Sequence, residues 1–300
     1  MAVLRLGTRG SLLAVAQSRQ VAEMLELAHA GLKVELITIK TTGDRIQDRP
    51  LADIGGKGLF TKEIELALLA GEIDFAVHSF KDVPVTMPLV DPSKLMIACV
   101  PRRADPFDVL ATRDGRDLLA LPEGAKVGTA SPRRAAQLLD RRADLRIEPI
   151  RGNIDTRLRK MRDGEYDAVL LAKAGLVRAG LFDAATMITL TLDQMVPAAG
   201  QGALALQTRD DDAEAVRFLI ALHHPPTADA VTLEREVVRL LEGDCHSPIA
   251  AYAQHHGDQT TLSVVHGTPQ GIRQVEGSAS GIDRAYLPQR VVDALNRLSR

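Results

Sequence analysis

The sequence predicts an α/β protein of two lobes, followed by a small α+β domain at the C-terminus. Strand-like and helix-like segments alternate over residues 2–39 and again over 107–171, which is typical of parallel sheets covered by helices. Segments at 101–106 and 195–202 contain Pro or Gly in the manner of linkers, and they flank the second region. We therefore expect the chain to leave the first lobe, build the second and return.

Composition restricts the class of protein. The 300 residues are 45% hydrophobic and 25% charged, as in a globular protein of two or three domains. The net charge of −2, the absence of Trp and the 3% aromatic content argue against nucleic acid as a partner. No apolar segment approaches the roughly 20 residues of a membrane span, and the N-terminus lacks the apolar core of a signal peptide. We expect a cytoplasmic protein with no membrane partner.

The first lobe begins with a strand at 2–6, a helix at 12–28 and a strand at 32–39. A polar turn that opens a helix after a parallel strand is a natural anion site, because free backbone N–H groups and the helix dipole favour negative charge. Arg9 and Ser11 lie in that turn and add donors. A purely structural role for Ser11, as the N-cap of the helix, is an equal alternative.

The carboxylate with the clearest functional promise is Asp82. The aperiodic segment 41–58 is predicted to be a mobile lid, and a helix at 59–70 and a strand at 73–77 follow it. Asp82 comes just after that strand, where open α/β sheets bind ligands. Beside Lys81 it should stay ionised, so it could stabilise a cation or exchange a proton with a nitrogen. A surface Lys–Asp pair is the simpler alternative.

The second lobe repeats this arrangement of polar turns after strands. The strand predicted at 94–100 still belongs to the first lobe. In the second lobe, strands are predicted at 107–112, 125–128, 145–150, 166–171 and 187–190, with a short helix near 116–120. Thr129 and Ser131 lie in the turn after the second of these strands, where Pro132 opens a helix.

Six arginines lie just after strands, at turns or in early helical turns. They are Arg9, Arg133, Arg134, Arg151, Arg157 and Arg178. Parallel strands bring such turns to one sheet edge, and Arg binds carboxylate or phosphate through two parallel hydrogen bonds. The Gly-Gly-Lys-Gly segment at 55–58 lacks Walker spacing. We therefore predict a cleft for a polycarboxylate.

The last third of the chain contains the more informative of the two cysteines. Helices are predicted at 210–222 and 227–241, the second capped by Thr227 and ended by Gly243 at C′. Three strands between 249 and 279 and a helix at 283–298 follow.

Cys245 lies in the polar turn after the second helix, whereas Cys99 lies in a buried strand and is expected to act as a small hydrophobe. An exposed cysteine is either incidental or present for its sulfur chemistry. Glu242, Asp244 and the preceding helix C-terminus disfavour a thiolate, which suits an anchor better than a recurrent nucleophile.

Eight motifs, in order along the chain, closely resemble the porphobilinogen deaminase (hydroxymethylbilane synthase) family. They are Thr8-Arg9-x-Ser11, Gly55-Gly56-Lys57-Gly58-Leu59-Phe60, Ala76-Val77-His78-Ser79-x-Lys81-Asp82-Val83-Pro84, Gly128-Thr129-x-Ser131-x-Arg133-Arg134, Arg151-Gly152-Asn153-x-x-Thr156-Arg157, Leu171-Ala172-x-Ala174-Gly175-Leu176, Pro197-Ala198-x-Gly200-Gln201-Gly202 and Leu241-Glu242-Gly243-x-Cys245. The resemblance runs nearly from end to end. Asp244 stands where the family usually has Gly, and Ala130 stands where it often has Ser.

The resemblance implies three domains, of which the first two are arranged like the lobes of a periplasmic binding protein. Domain 1 would take residues 1–101 and 199–221, domain 2 residues 102–198, and domain 3 residues 222–300. The implied reaction is a head-to-tail condensation of four porphobilinogen molecules with release of ammonia. Hydrolysis then releases the linear tetrapyrrole hydroxymethylbilane.

The resemblance also assigns roles to residues. Cys245 would carry a dipyrromethane cofactor through a thioether, and Asp82 would be the catalytic aspartate. Substrate and cofactor carboxylates would be bound by Arg9, Ser11, Lys81, Thr129, Ser131, Arg133, Arg134, Arg151, Arg157, Arg178 and Gln201. No metal is implied, and we expect a monomer.

Two alternatives compete with this interpretation. A non-catalytic cytoplasmic binding protein for a polycarboxylate explains the lobes and the arginines, but it leaves Asp82 and Cys245 without a joint role. A metal site could use Cys245 and His246 with the pair His223-His224 or His255-His256. Adjacent histidines do not readily face one ion, and no zinc-type spacing occurs.

Overall fold

The computed structural model describes residues 2–45, 61–85, 90–244 and 247–298. The chain forms two compact units, of which the first comprises Met1–Arg103 and Ala203–Ala228 and the second Ala104–Gly202 and Asp229–Arg300. The three-domain boundaries expected from the sequence stay a prediction.

Strands and helices alternate through both units. The strands are β1 (Ala2–Thr8), β2 (Leu32–Thr38), β3 (Phe75–Ser79), β4 (Leu95–Cys99), β5 (Asp108–Thr112), β6 (Lys126–Gly128), β7 (Arg146–Glu148), β8 (Ala168–Ala172), β9 (Met187–Thr189), β10 (Leu204–Arg209), β11 (Ile249–His256), β12 (Gln259–Thr268) and β13 (Gly271–Ser280). The α-helices are α1 (Leu12–Ala28), α2 (Thr42–Arg45), α3 (Lys62–Leu69), α4 (Pro132–Arg141), α5 (Ile154–Arg162), α6 (Lys173–Arg178), α7 (Ala213–Leu219), α8 (Pro225–Leu240) and α9 (Leu287–Arg297).

The first unit contains a five-stranded sheet in the order β2-β1-β3-β10-β4. Strands β1, β2 and β3 are parallel, whereas β10 runs antiparallel to β3, with Leu204 opposite Ser79. Strand β10 therefore starts at the edge where β1 and β3 end. Helices α1 and α7 contribute apolar side chains to the core on this sheet, which includes Leu6, Leu25, Phe75 and Phe218.

The second unit repeats this topology in a sheet of order β7-β6-β8-β5-β9. Strands β6, β7 and β8 are parallel, and β5 is antiparallel to β8, with Asp108 opposite Ala172. The start of β5 consequently lies at the edge where the parallel strands end. This register places an acidic side chain beside the turns that carry the arginines.

A three-stranded antiparallel sheet, β11-β12-β13, completes the second unit. Side chains from α8 and α9 form its apolar core, which includes Val237, Leu262 and Leu295. The sheet also packs on α4, because a Cβ on Gly267 would lie 2.8 Å from the Cβ of Ala136. The predicted α/β class, with two lobes and a small C-terminal α+β part, is confirmed.

One buried carboxylate joins α8 to the rest of the second unit. Glu234 is fully buried, and it accepts hydrogen bonds from the backbone N–H of Gly200 at 2.7 Å and of Ala253 at 2.9 Å. Gly200 belongs to the segment that returns to the first unit, and Ala253 belongs to β11. The carboxylate thus fixes the helix that leads to Cys245 against two other parts of the fold.

Three local predictions were wrong. Residues 116–120 form bends and turns instead of a helix, since the segment lies between Gly115, at φ 72°, and a proline at 122. Helix α8 starts at Pro225, two residues before the predicted cap, Thr227. The backbone N–H of Thr227 donates to the ring of His224, so Thr227 lies inside the helix and does not cap it. Glu242, at φ 53°, takes the left-handed conformation expected of Gly243.

Two further predictions concern the lid and membranes. Most of the predicted lid at 41–58 lies outside the described residues, apart from the start that forms α2. Within the part of the chain that the structure describes, no helix is long and apolar enough to cross a membrane.

We predict that Glu234→Gln lowers the free energy of unfolding by about 1–3 kcal/mol, because one buried backbone N–H then faces an amide NH₂ instead of an acceptor. Urea unfolding followed by circular dichroism measures the loss. The matched control is Glu236→Gln on the same helix. Glu236 pairs with Arg239 at the surface, where ion pairs contribute little. Equal losses in the two variants would contradict the role of Glu234.

Candidate active site

In the first unit, the turn after β1 is held by hydrogen bonds among hydroxyl groups. The Oγ of Ser11 accepts the N–H of Ala14 at 3.3 Å, so Ser11 caps α1 as one of the two alternatives predicted. The Oγ of Ser18 donates to the Oγ1 of Thr8 at 2.8 Å below this turn. Arg9 is half-buried in the turn and follows the end of β1. The capped helix start and the guanidinium together favour an anion at this place.

Asp82 lies in a short 3₁₀ turn, residues 80–82, directly after β3. The backbone N–H of Phe80 donates to the carbonyl of Ala203 at 3.0 Å, and the Phe80 ring is buried. The side chain of Ser79 bonds to the amide of Gln17 at 2.9 Å. Lys81 is half-buried and Asp82 is exposed. The carboxylate is thus presented to solvent from a backbone that is fixed on both sides.

A buried polar chain supports the end of β3. Nε2 of His78 lies 3.0 Å from Oε1 of Gln207, and Nε2 of Gln207 donates to Oε1 of Glu65 at 3.3 Å. The other oxygen of Glu65 accepts the N–H of Val90 at 3.0 Å. Burial lowers the pKa of His78 to about 4, so the ring is neutral near pH 7. A neutral imidazole can donate one hydrogen bond to the amide oxygen of Gln207.

In the second unit, the turn after β6 is ordered by the side chain of Thr129. The Oγ1 of Thr129 accepts the N–H of Ser131 at 3.2 Å, and the N–H of Thr129 donates to the carbonyl of Glu148 at 3.0 Å. Ser131 precedes α4, and Pro132 occupies its first turn as predicted. Thr129 and Ser131 therefore lie where β6 ends beside β7.

Arg133 and Arg134 are almost fully buried, at 4% and 6% exposure, and both bond to Asp108. Nη2 of Arg133 lies 2.9 Å from Oδ2, while Nε and Nη2 of Arg134 lie 3.1 and 2.7 Å from Oδ1. The Nε2 of Gln201 also donates to Oδ1, at 3.0 Å, and to the carbonyl of Pro106 at 2.7 Å. The structure thus brings together three of the predicted residues around a carboxylate that sequence reasoning had not singled out.

Arg151 and Arg157 lie at the start of α5, beyond the end of β7. Arg151 is exposed, and the Nε of Arg157 donates to the carbonyl of Gly152 at 2.8 Å. Gly152 adopts φ 102°, and a Cβ there would lie 2.6 Å from the Cγ2 of Thr156. Only glycine fits this turn, so the backbone around both arginines has a defined shape.

Arg178 lies in the last turn of α6. Its Nη2 donates to the carbonyl of Gly202 at 2.8 Å, but its Nε is buried and no residue that the structure describes accepts its proton. Burial lowers the pKa of Arg178 to about 10. A buried guanidinium with an unused donor favours an anionic ligand.

The segment around Cys245 begins with a strained residue. Glu242 ends α8 in the left-handed conformation, and the N–H of Gly243 donates to the carbonyl of Val238 at 2.9 Å, as in a Schellman motif. The N–H and the carboxylate of Asp244 both bond to Oγ of Ser247, at 2.9 and 3.0 Å. Cys245 and His246 themselves lie outside the described residues.

Comparison with known proteins decides the family. The model of the porphobilinogen deaminase dipyromethane cofactor binding domain matches residues 4–217, and that of the porphobilinogen deaminase C-terminal domain matches 228–295. The chain belongs to the porphobilinogen deaminase family. The resemblance noted in the sequence is therefore confirmed.

Curated relatives agree over nearly the whole chain. The porphobilinogen deaminase of Exiguobacterium sp. is 46% identical over 96% of this chain and 93% of its own. The enzyme of the same name from Geobacter sulfurreducens is 49% identical over 93% of this chain and 86% of its own. A Salmonella typhimurium periplasmic binding protein with high arginine specificity shares 11% identity, covering 76% of this chain and 94% of its own, with a TM-score of 0.40. A likeness that weak supports no conclusion.

The residues missed by sequence reasoning are acids and amides that hold the predicted ones. Asp108 carried a signal, since it is a charged residue inside the apolar strand-like run at 107–112. Glu234 carried no such signal in the sequence, because Glu is common on helices. Gln137 was also missed. Its amide donates to the carbonyl of Val196 at 3.2 Å and accepts the N–H of the same residue at 2.8 Å.

The histidine pairs considered for a metal have other partners. Nδ1 of His223 accepts the N–H of Val100 at 3.2 Å, and Nδ1 of His255 lies 2.8 Å from the Oγ1 of Thr260. Among the residues that the structure describes, no group of three His, Cys, Asp or Glu side chains is arranged to hold a metal ion.

We predict that His78 makes the protein less stable in acid. The pKa of His78 is lowered on folding, so the unfolded chain binds the proton more tightly and stability falls as pH drops from 6.5 towards 4. The loss attributable to this ring should be about 2–3 kcal/mol. Urea unfolding at pH 7 and pH 4.5 should show a smaller difference between the two pH values for His78→Gln than for the parent. An unchanged difference would contradict the assignment.

Proposed function

We propose that this chain is the enzyme that condenses four porphobilinogen molecules head to tail with release of ammonia. Hydrolysis then releases hydroxymethylbilane, a step of tetrapyrrole biosynthesis. The observation that carries this proposal is the match to the deaminase family over almost the whole chain. A non-catalytic binding protein is not favoured, since the curated relatives are named as deaminases.

A dipyrromethane cofactor fits the second unit of the structure. Each pyrrole bears an acetate and a propionate, and Arg178 offers a buried Nε that lacks an acceptor among the described residues. The cofactor, joined to Cys245 through a thioether, supplies the pyrrole α-carbon from which the chain grows. The sequence places two acidic residues, Glu242 and Asp244, next to Cys245, which suits a sulfur that needs to react only once.

We assign the carboxylate-binding role to arginines of both units. Arg9 lies at the capped start of α1, while Arg151 and Arg157 border the glycine turn that opens α5. Arg133 and Arg134 are held in fixed planes by Asp108. Thr129, Ser131 and Lys81 add neutral and charged donors, whereas the amide of Gln201 donates to Asp108 and Pro106 and supports the site from behind. Guanidinium groups suit this task because they bind carboxylates through two parallel hydrogen bonds and stay charged.

Asp82 has the catalytic role in this proposal. It is exposed on a backbone that β3 and β10 support, so it can approach the substrate. Its carboxylate accepts hydrogen bonds from pyrrole N–H groups, stabilises positive charge as ammonia leaves, and takes or returns a proton. We further propose that the protein acts as a monomer in the cytoplasm, without nucleic acid or membrane partners.

Intact-protein mass tests the anchor. The purified parent should exceed the mass of the bare chain by one dipyrromethane adduct, and Cys245→Ala should have the bare-chain mass and no turnover. Cys99→Ala is the matched control and should keep the adduct, because Cys99 is fully buried in β4. Active protein with a bare-chain mass would refute the cofactor assignment.

Substitution of Asp82 separates chemistry from binding. Asp82→Asn should retain the fold and the adduct mass but lose turnover by about 10²–10⁴-fold, the usual contribution of a general acid or base. Asp211→Asn should keep full turnover, since Asp211 is an exposed aspartate beyond the opposite end of β10. Steady-state release of ammonia measures both. Normal turnover in Asp82→Asn would exclude the catalytic role.

A further inference from the structure

Asp108 is a buried carboxylate that contacts three of the predicted site residues. It is fully buried at the first position of β5, and it accepts hydrogen bonds from Arg133, Arg134 and Gln201. A lone buried carboxylate is costly, so such a group is retained only where its partners satisfy it. These partners include two of the arginines proposed to bind carboxylates.

The cluster formed by Asp108, Arg133 and Arg134 carries an excess of positive charge. Two guanidinium groups face one carboxylate, and burial lowers the pKa of Arg133 as the protein interior opposes its charge. A net buried charge favours the arrival of a further anion. One carboxylate of the cofactor or substrate would neutralise the remaining positive charge of the cluster.

The bonds to Asp108 also fix the planes of both guanidinium groups. Arg134 uses Nε and Nη2 on Asp108, and its Nη1 donates to the carbonyl of Leu170 at 3.0 Å. Arg133 uses Nη2 on Asp108, and its Nη1 donates to the carbonyl of Val196 at 2.7 Å. A guanidinium has five N–H donors, so Arg133 retains more donors for a ligand than Arg134 does.

We propose that Asp108 is a positioning residue for cofactor and substrate binding. It holds Arg133 and Arg134 in their binding geometry before the ligand arrives and leaves their combined charge at +1. Through Gln201 it also fixes the returning segment, whose neighbouring Gly200 is bound by Glu234. Binding then requires no reorganisation of two long side chains, which is the benefit of preorganised sites.

This inference rests on the proposed role of the two arginines, and a simpler account of Asp108 opposes it. If Asp108 only neutralised charge, it would compete with ligand carboxylates for the same guanidinium groups. Its removal would then strengthen anion binding. If Asp108 positions the arginines, its removal weakens binding despite the greater positive charge. The two accounts therefore predict opposite changes in anion binding when Asp108 is removed.

The decisive variant is Asp108→Asn, which preserves shape and removes the charge. Protein freed of cofactor is incubated with porphobilinogen, and intact mass gives the rate of adduct formation. We expect the rate to fall about tenfold or more, the scale of one lost charge-assisted hydrogen bond. Circular dichroism at the assay temperature confirms folding. A rate equal to or above that of the parent would overturn the proposal.

The matched control is Asp144→Asn in the same unit. Asp144 also binds an arginine through two bonds, from Nε and Nη2 of Arg142 at 2.7 Å each, but it is exposed. We expect this variant to form the adduct at the parent rate. A similar fall in both variants would overturn the specific role of Asp108.

A second variant covers the case in which Asp108→Asn does not fold. Asp108→Glu keeps the net charge of the cluster at +1 and both arginines, but it moves the carboxylate by one methylene. If Asp108 positions the arginines, adduct formation by Asp108→Glu should be slow. Adduct formation at the parent rate would show that only the charge of Asp108 matters and would refute the proposal.

Arg133→Met separates this inference from the proposed function. If Arg133→Met forms the adduct normally, the binding role of Arg133 fails, and the proposal for Asp108 fails with it. If Arg133→Met forms the adduct slowly and Asp108→Asn forms it at the parent rate, only the positioning role of Asp108 fails.

Discussion

The register of β5 in its sheet determines how the cationic side of the second unit is built. Because β5 runs antiparallel to β8, its first residue, Asp108, lies at the edge where β6, β7 and β8 end. The turns after those parallel strands carry the arginines. One buried carboxylate can therefore hold Arg133 and Arg134 together, and it also binds the amide of Gln201. A strand that entered the sheet in the other direction would place this carboxylate at the far end.

The two units use carboxylates in opposite ways on the same topology. In the first unit, β10 occupies the place that β5 has in the second, and Asp82 stands exposed after β3. In the second unit, Asp108 is buried and its oxygens are occupied by donors. An exposed carboxylate can exchange protons and approach a substrate, whereas a buried and saturated one orients its neighbours. Repetition of a fold thus provides one exposed acid, to which we assign the catalytic role, and one buried acid that holds its neighbours.

The C-terminal sheet is joined to the second lobe by polar as well as apolar contacts. Glu234 binds backbone N–H groups of Gly200 and Ala253, and Gly267 packs closely on Ala136 of α4. Helix α8 therefore reaches the Cys245 segment from a fixed position. Glu242 ends that helix in a left-handed conformation, which is uncommon for a residue with a Cβ. A cofactor anchored there would be held by a helix whose end is constrained on several sides.

The sequence by itself determined the α/β class, the polar turns after the strands and the family, because these depend on local patterns and motif order. It predicted that Ser11 and Pro132 open helices, which the structure bears out. It could not tell Arg133 and Arg134, which are buried, from Arg151, which is exposed. Only the tertiary structure decided which arginines are buried. It also decided that Asp108 binds Arg133, Arg134 and Gln201. Residues from 108 to 201 meet there through strand register and burial, which no local pattern in the chain encodes.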